Sequence, residues 1–131
     1  MHGLHLTADL RGCTRSLAAM TDPAALRRLC LAAVHAAGLK PVGELFHRFT
    51  PAPATSSQTA AAQSGVTGVV LLAESHLAVH TWPELGAATI DVYVCNFQGD
   101  NSALADLALD HLLAAFAARD VTHQRLERGR A

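Results

Sequence analysis

The segment AESHLAVHTWPE, residues 73–84, gathers side chains that are able to act as nucleophiles and to transfer protons. Glu74, Ser75 and His76 follow one another, and His80 comes four residues after His76. The apolar run that leads into them is typical of a buried strand, where polar groups cost free energy unless they find partners. This placement makes the segment the first candidate for a functional site.

A metal site is one chemistry that this segment suggests, because His76 and His80 form a His-x-x-x-His pair. That spacing suits a helix, on which residues four apart are neighbours. Here Val79 and Thr81 are β-branched and Pro83 ends the run, so a strand is expected instead. Rings four residues apart on a strand are about 13 Å apart, too far to share one zinc. The sequence therefore predicts no metal site, and ordinary strand histidines remain the simplest interpretation of the pair.

A serine nucleophile is the second chemistry to consider. The Gly-x-Ser-x-Gly elbow of serine hydrolases is absent, since Ser75 lies between Glu74 and His76. Ser75 can instead attack the carbonyl carbon of Glu74, because the short tether replaces much of the entropic cost of a bimolecular step. The peptide would become an ester, and β-elimination would cut the chain and leave dehydroalanine, which hydrolyses to a pyruvoyl group. The residues permit this route but do not by themselves select it.

The surrounding pattern predicts the elements that must hold this segment in place. Asp22 as N-cap, Pro23 in the first turn and Gly38 as a stop define one helix, and a second runs from Asn101 or Ser102 to about Ala118. Alternating or apolar runs predict strands at residues 3–10, 40–49, 66–74, 76–82 and 87–95, with a last short strand in 121–130. The Pro/Ser/Thr/Ala tract from Thr50 to Gly65 reads as a loop.

These elements predict an α+β fold with a two-layer arrangement, in which two helices cover one face of a mostly antiparallel sheet. At 131 residues the chain is expected to form one domain, residues 1–131. The other sheet face is expected to carry apolar residues, and a soluble monomer would rarely leave such a patch in water. Two sheets packing face to face in a homodimer would cover it.

Composition limits the partners and the compartment. The net charge is −1 and there is no basic run, which argues against nucleic acid or an anionic membrane surface as a partner. No apolar run approaches the length of a membrane span, and no signal peptide is visible in the first thirty residues. Cys13, Cys30 and Cys95 are odd in number and far apart, which favours a reducing, cytoplasmic location over a disulfide scaffold.

Several motifs together resemble one family. ESHLAVHTWPE, followed by IDVYVC, is similar to the processing and active-site segment of the prokaryotic S-adenosylmethionine decarboxylases, which are pyruvoyl-dependent proenzymes. The likeness extends to GLHLTADL near the start, FHRF at 46–49, SGVTGVVLLAESH and the final ERGR. It thus covers nearly the whole chain. An eleven-residue segment with both histidines in register is a specific signal.

The resemblance implies cleavage between Glu74 and Ser75, giving a β chain of residues 1–74 and an α chain of residues 75–131 that begins with a pyruvoyl cofactor made from Ser75. It also implies that His80 is the proton acceptor that assists processing and that Cys95 is the proton donor in catalysis. A Schiff base to the pyruvoyl carbonyl would take up the electrons left by CO2 loss. Pyridoxal phosphate is not expected, because Lys40 is the only candidate lysine and the chain is too short for the large folds that usually bind this cofactor.

Four further residues are carried over as substrate-binding candidates. Phe49 matches an aromatic residue that stacks on adenine, with core packing as its equally weighted alternative. Thr67 stands where relatives usually have serine, and it retains the hydroxyl that helps processing. Trp82 and Glu84 are expected to shape the turn beside the site. The tract from Thr50 to Gly65 is longer than in short relatives and is expected to form a wall of the substrate pocket.

The function implied is decarboxylation of S-adenosylmethionine to the aminopropyl donor of spermidine biosynthesis, by an (αβ)2 dimer or a larger assembly. One alternative is a pyruvoyl-dependent decarboxylase of arginine or ornithine on the same fold. The other is an uncleaved, non-catalytic regulatory paralogue. The joint presence of Ser75, His80 and Cys95 argues against the non-catalytic paralogue, since a binding module has no need of all three.

Overall fold

Six antiparallel strands form one sheet, and two helices pack on one of its faces. The computed structural model describes residues 2–14, 16–50 and 64–129. The strands lie side by side in the order β2-β3-β4-β5-β1-β6. In chain order the elements are β1 (Gly3–Arg11), α1 (Pro23–Ala37), β2 (Pro41–Arg48), β3 (Val66–Leu72), β4 (Ser75–Trp82), β5 (Ala87–Cys95), α2 (Ser102–Phe116) and β6 (Asp120–Arg128). The predicted α+β class and the two-layer arrangement are confirmed.

The first helix begins and ends where the sequence predicts. The Asp22 carboxylate accepts a hydrogen bond from the Ala24 N–H at 3.0 Å, and Pro23 occupies the first turn, where its missing N–H is not needed. Gly38 ends the helix in the left-handed conformation, with a φ of 84°. An ion pair between Arg27 and Glu44 links α1 to β2.

The core lies between the helices and the sheet. Alternate residues of the central strands point toward the helices, as the two-residue period of a strand requires. Their apolar side chains meet those of α1 and α2, and the buried set includes Leu6, Val70, Leu77, Val79, Ile90, Val92, Leu26, Val34, Leu112 and Phe116. At the edge strand β2, the Phe46 ring packs over Gly68, where any Cβ would overlap it. The helices and sheet therefore hold β3, β4 and β5 in a fixed register.

Some predicted boundaries were wrong in ways that matter for the site. The predicted strand 66–74 ends at Leu72, and Ala73 and Glu74 form a tight turn before β4 begins at Ser75. The last strand is nine residues long and pairs along the full length of β1, so it is not a minor addition. Residues 51–63 of the predicted loop lie outside the described residues.

The face of the sheet opposite the helices has a polar centre and apolar edges. Because directly paired residues point to the same face, the register defines rows across the sheet. One row is Leu71, His76, Tyr93, His5 and Leu126; the next is Leu45, Val69, Ala78, Asp91, Thr7 and Gln124; the third is His47, Thr67, His80, Thr89, Asp9 and Thr122. In the centre the His5 ring contacts the Asp91 carboxylate at 3.0 Å. The expected apolar residues on this face are therefore concentrated near its margins.

Candidate active site

The turn between β3 and β4 is held by three backbone hydrogen-bond donors. The Ala73 N–H donates to the Lys40 carbonyl at 2.8 Å, and the Lys40 N–H donates to Oε1 of Glu74 at 3.0 Å. The Cys95 N–H donates to the main-chain carbonyl of Glu74 at 2.7 Å. We call Lys40, Glu74, Ser75 and Cys95 the cleavage end of the sheet. The contact from the Cys95 N–H polarises the carbonyl that Ser75 follows.

Ser75 itself has a backbone conformation that L-residues rarely adopt. Its φ is 151°, and Ser75 has a side chain, unlike the glycines that usually occupy this region. The hydrogen bonds on both sides of the turn keep the chain in this conformation, although it is unfavourable for Ser75 alone. Strain is thus stored at the peptide bond between Glu74 and Ser75, next to the polarised carbonyl.

A cleft of about 480 Å³ opens beside this turn. Glu74 and Cys95 contribute to its wall, together with Lys40, the exposed Phe97 and Asn101. This volume is in the range of small-molecule sites. Glu74, which precedes Ser75, and Cys95, the predicted proton donor, therefore line the same cleft.

The three cysteines have different surroundings. Cys30 is fully buried in the core, and burial raises the pKa of its thiol to about 12. Burial also raises the pKa of the Cys13 thiol. Cys95 is partly exposed and lies at the end of β5, where it borders the cleft. Of the three, Cys95 has the access that proton exchange with a bound molecule requires.

The predicted processing histidine lies at the other end of β4. Nδ1 of His80 and Oγ1 of Thr67 are hydrogen-bonded at 2.8 Å across the β3–β4 pair. The His80 and Trp82 rings have centroids 6.3 Å apart, and those of His47 and Phe49 are 5.2 Å apart. We call these five residues the histidine end. They form a cluster of imidazole, hydroxyl and aromatic groups.

The two ends are separate within one chain. His80 is five residues from Ser75 on a continuous strand, a distance of about 17 Å. His76 and His80 do share a face, as the strand pattern predicts, but neither borders the cleft beside Glu74. The structure thus brings Glu74, Ser75 and Cys95 together and groups His80 with other predicted residues.

The substrate-binding candidates are also found at or next to the histidine end. Phe49 is 50% exposed, so it is not a core residue. Thr67 contacts His80, and Trp82 ends β4 beside it. Glu84 lies in the short 3-10 turn Pro83–Leu85 that follows. These positions agree with a role beside a site, but they are remote from the cleavage end of the same chain.

Several residues that border the cleft were not predicted from the sequence, among them Lys40 and Asn101. Lys40 was considered only as a possible cofactor lysine, and Asn101 only as a helix cap. Asn101 donates a hydrogen bond to the Cys95 carbonyl at 2.8 Å, a contact across six residues that no periodic pattern reveals. An asparagine directly before a helix was the available signal, but its ordinary interpretation is capping.

Two further properties bear on chemistry. Within residues 2–14, 16–50 and 64–129, no group of three His, Cys, Asp or Glu side chains is arranged to hold a metal ion. In the same part of the chain, no helix has the length and apolarity needed to cross a membrane.

Comparison with known proteins gives one consistent result. Residues 4–129 match the family model described as S-adenosylmethionine decarboxylase. An S-adenosylmethionine decarboxylase proenzyme of Aquifex aeolicus is 38% identical over 127 residues, which are 97% of this chain and 81% of that protein. Those of Symbiobacterium thermophilum and Pyrococcus furiosus are 37% and 34% identical, with 98% and 97% of this chain covered and 83% and 78% of theirs.

A solved structure agrees with the fold as well as the sequence. The crystal structure of the adenosylmethionine decarboxylase from Aquifex aeolicus superimposes with a TM-score of 0.81 at 36% identity, covering 98% of this chain and 92% of the other. The family match, the near full-length relatives and this structure agree with the resemblance seen in the motifs. The chain belongs to the S-adenosylmethionine decarboxylase family.

Proposed function

We propose that this protein is a proenzyme that cuts itself between Glu74 and Ser75 and then decarboxylates S-adenosylmethionine, supplying an aminopropyl donor for spermidine synthesis. The products would be a β chain of residues 1–74 and an α chain of residues 75–131. The observation that carries the proposal is the 2.7 Å hydrogen bond from the Cys95 N–H to the carbonyl of Glu74. The family match and the names of the relatives support S-adenosylmethionine as the substrate, and they do not favour arginine or ornithine.

Self-cleavage follows from the geometry of the turn. Attack by Oγ of Ser75 on the Glu74 carbonyl carbon moves negative charge onto the carbonyl oxygen. The Cys95 N–H already points at that oxygen, so it stabilises the developing charge without reorganisation. The unfavourable φ of Ser75 raises the energy of the uncut peptide and thereby lowers the barrier further.

The residues of the cleavage end fit a pyruvoyl group made from the chain itself. Ser75 supplies its atoms, and no separate binding pocket for a cofactor is required. The group's carbonyl would bind the substrate amine and accept the electron pair left when CO2 departs. Cys95 borders the same cleft, and its Sγ would deliver the proton that substrate Cα then needs.

His80 has to act on a second copy of the chain. At about 17 Å along β4 it cannot reach the Ser75 of its own chain. If two sheets pair through their free faces about a two-fold axis that reverses the strand direction, the histidine end of one copy lies over the cleavage end of the other. Thr67, hydrogen-bonded to Nδ1, would hold the His80 ring in one orientation. We therefore propose an (αβ)2 dimer in which each site uses both copies.

The same pairing of two sheets would place the remaining substrate-binding candidates beside the site of the facing copy. Phe49 is half exposed on the histidine end, so its ring is free to stack on a planar group such as adenine in the facing site. Trp82 and Glu84 would border the same region. In this arrangement the substrate lies between the cleavage end of one copy and the aromatic residues of the other.

One experiment tests the function directly. Purified protein, denatured and weighed by mass spectrometry, should give two fragments that correspond to residues 1–74 and to a pyruvoyl-blocked 75–131. Release of labelled CO2 should be rapid from S-adenosylmethionine and at background from arginine and ornithine. Ser75→Ala should remain one inactive chain, whereas Ser16→Ala, at an exposed turn, should behave as wild type. Decarboxylation by an intact wild-type chain would refute the mechanism.

A further inference from the structure

Asn101 uses its side chain in a way that its position does not predict. It is the N-cap of α2, and asparagine is favoured there because its side-chain oxygen accepts a hydrogen bond from the first free N–H groups. The Asn101 side chain makes no such hydrogen bond. Its Nδ2 instead donates to the carbonyl of Cys95 at 2.8 Å.

The first helix shows what an ordinary cap looks like in this protein. The carboxylate of Asp22 accepts from the Ala24 N–H, as capping requires. Asn101 is part of the cleft wall, whereas Asp22 is not. At α2 the carboxylate of the preceding residue, Asp100, accepts from the Ser102 N–H at 2.9 Å, so the start of this helix is satisfied without the Asn101 side chain.

Asn101 is itself held firmly. Its N–H donates to Oδ1 of Asn96 at 2.8 Å, and Nδ2 of Asn96 contacts Oγ of Ser102 at 3.1 Å. The Asn96 N–H donates to the carbonyl of His2 at 2.7 Å. These contacts fix the loop between β5 and α2, so the amide of Asn101 meets the Cys95 carbonyl from a defined direction.

The main chain of Cys95 is consequently held on both sides. Its N–H faces the Glu74 carbonyl at 2.7 Å, and its own carbonyl receives the Asn101 amide. A shift of this residue moves the N–H and the thiol together, because both are attached to the same Cα. A hydrogen bond to the Cys95 carbonyl therefore influences the position of its N–H, which faces the Glu74 carbonyl, and of its thiol, which borders the cleft.

We propose that Asn101 is a positioning residue for Cys95, which orients the N–H for self-cleavage and the thiol for proton delivery. This inference rests on the proposed function. It explains why the Asn101 side chain takes no part in capping, which Asp100 performs: the amide donor is directed to the Cys95 carbonyl at the cleft. An aspartate at this position would keep an oxygen near the start of α2 but would place a second acceptor against the Cys95 carbonyl.

The test is the exchange of one amide for a carboxylate. In Asn101→Asp we expect self-cleavage of the freshly made proenzyme to slow about fivefold and kcat to fall by a similar factor, the size of one lost hydrogen bond, with KM unchanged. The melting temperature should stay near the wild-type value, because Asp100 still caps α2 in the variant. Asp22→Asn makes the reverse exchange at α1 and should leave cleavage and kcat at wild-type values.

A second variant guards against an unrelated folding defect. Asn101→Ser keeps a capping hydroxyl but is too short to reach the Cys95 carbonyl, so it should show the same two losses with a wild-type melting temperature. Wild-type cleavage and kcat in both variants, while Cys95→Ala loses turnover, would overturn this inference and leave the proposed function intact. A raised KM with normal cleavage would also overturn it, since Asn101 would then be a direct substrate contact.

Discussion

The two ends of β4 carry different kinds of chemical group. At the cleavage end the important contacts are made by the main chain: N–H groups of Lys40 and Cys95 hold Glu74, and the strained backbone is that of Ser75. At the histidine end they are made by side chains, above all the hydroxyl of Thr67 and the ring of His80. The N–H donors at the cleavage end are placed by the backbone, whereas at the histidine end both partners of the hydrogen bond are side chains.

This difference shows how one small sheet can support two successive reactions. Main-chain donors are present whatever the side chains are, so the cleavage end is prepared as soon as the strands pair. Proton transfer needs titratable groups; in the proposed function these are His80 at the histidine end and the Cys95 thiol at the cleavage end. Because the two ends are about 17 Å apart in one chain, a site that uses both of them, as we propose, would draw them from two copies.

The largest effect on turnover is expected from Cys95→Ala. The variant keeps the N–H that faces the Glu74 carbonyl, so it should still cut at least partly, but it loses the thiol. We expect decarboxylation to fall about a thousandfold, the scale of a lost general acid. Fragment masses and labelled CO2 release measure the two steps separately. The control Cys13→Ala removes a buried thiol that does not line the cleft, and it should keep both cleavage and decarboxylation. Equal rates of decarboxylation in Cys95→Ala and Cys13→Ala would show that another group donates the proton.

A smaller but more informative effect is expected from His80→Ala. Cleavage should slow about a hundredfold and stall at the ester, which hydroxylamine would then cut. His35→Ala, on the exposed side of α1, is the matched control and should cut normally.

Mixing two defective chains tests whether His80 acts between copies. When His80→Ala is co-expressed with Ser75→Ala, a mixed dimer has one site with an intact serine and an intact histidine from its neighbour. The His80→Ala chain should then be cut, and the Ser75→Ala chain should not. Mixed dimers that leave the His80→Ala chain whole would show that His80 acts within its own chain.

The smallest effect is expected at Thr67. Thr67→Val removes the hydroxyl that holds the His80 ring and should slow cleavage about fivefold, as loss of one hydrogen bond predicts. Thr67→Ser keeps the hydroxyl and should cut at the wild-type rate. A time course of cleavage after synthesis measures this directly. Identical rates in Thr67→Val and Thr67→Ser would mean that the hydroxyl does not orient the ring.

Much of the fold could be predicted from local pattern. The cap at Asp22, the stop at Gly38 and the alternation in β1, β4 and β5 are properties of neighbouring residues, and the structure confirms those elements. The length of β6 was underestimated because its residues are mostly exposed and polar, so its strand character comes from pairing with β1 rather than from apolar alternation.

The site was less predictable, for a physical reason. Ser75 and Cys95 were named from the family motif, but the hydrogen bond between the Cys95 N–H and Glu74 depends on register across β4 and β5. The unusual φ of Ser75 and the role of Asn101 likewise arise from contacts between distant parts of the chain. Residue types suggested the reaction, whereas the sheet determined which groups meet.

The strand order has a consequence for the lifetime of the cut protein. In the sequence β2-β3-β4-β5-β1-β6, strand β1 of the first fragment lies between β5 and β6 of the second, so the proposed fragments are interleaved. They cannot drift apart without breaking ladders on both sides of β1. Once they are separated by denaturation, however, they no longer share a chain, and refolding becomes a second-order encounter that slows on dilution. The proposed cleavage would thus turn one continuous chain into two fragments whose native state, once lost, is recovered only when they meet again.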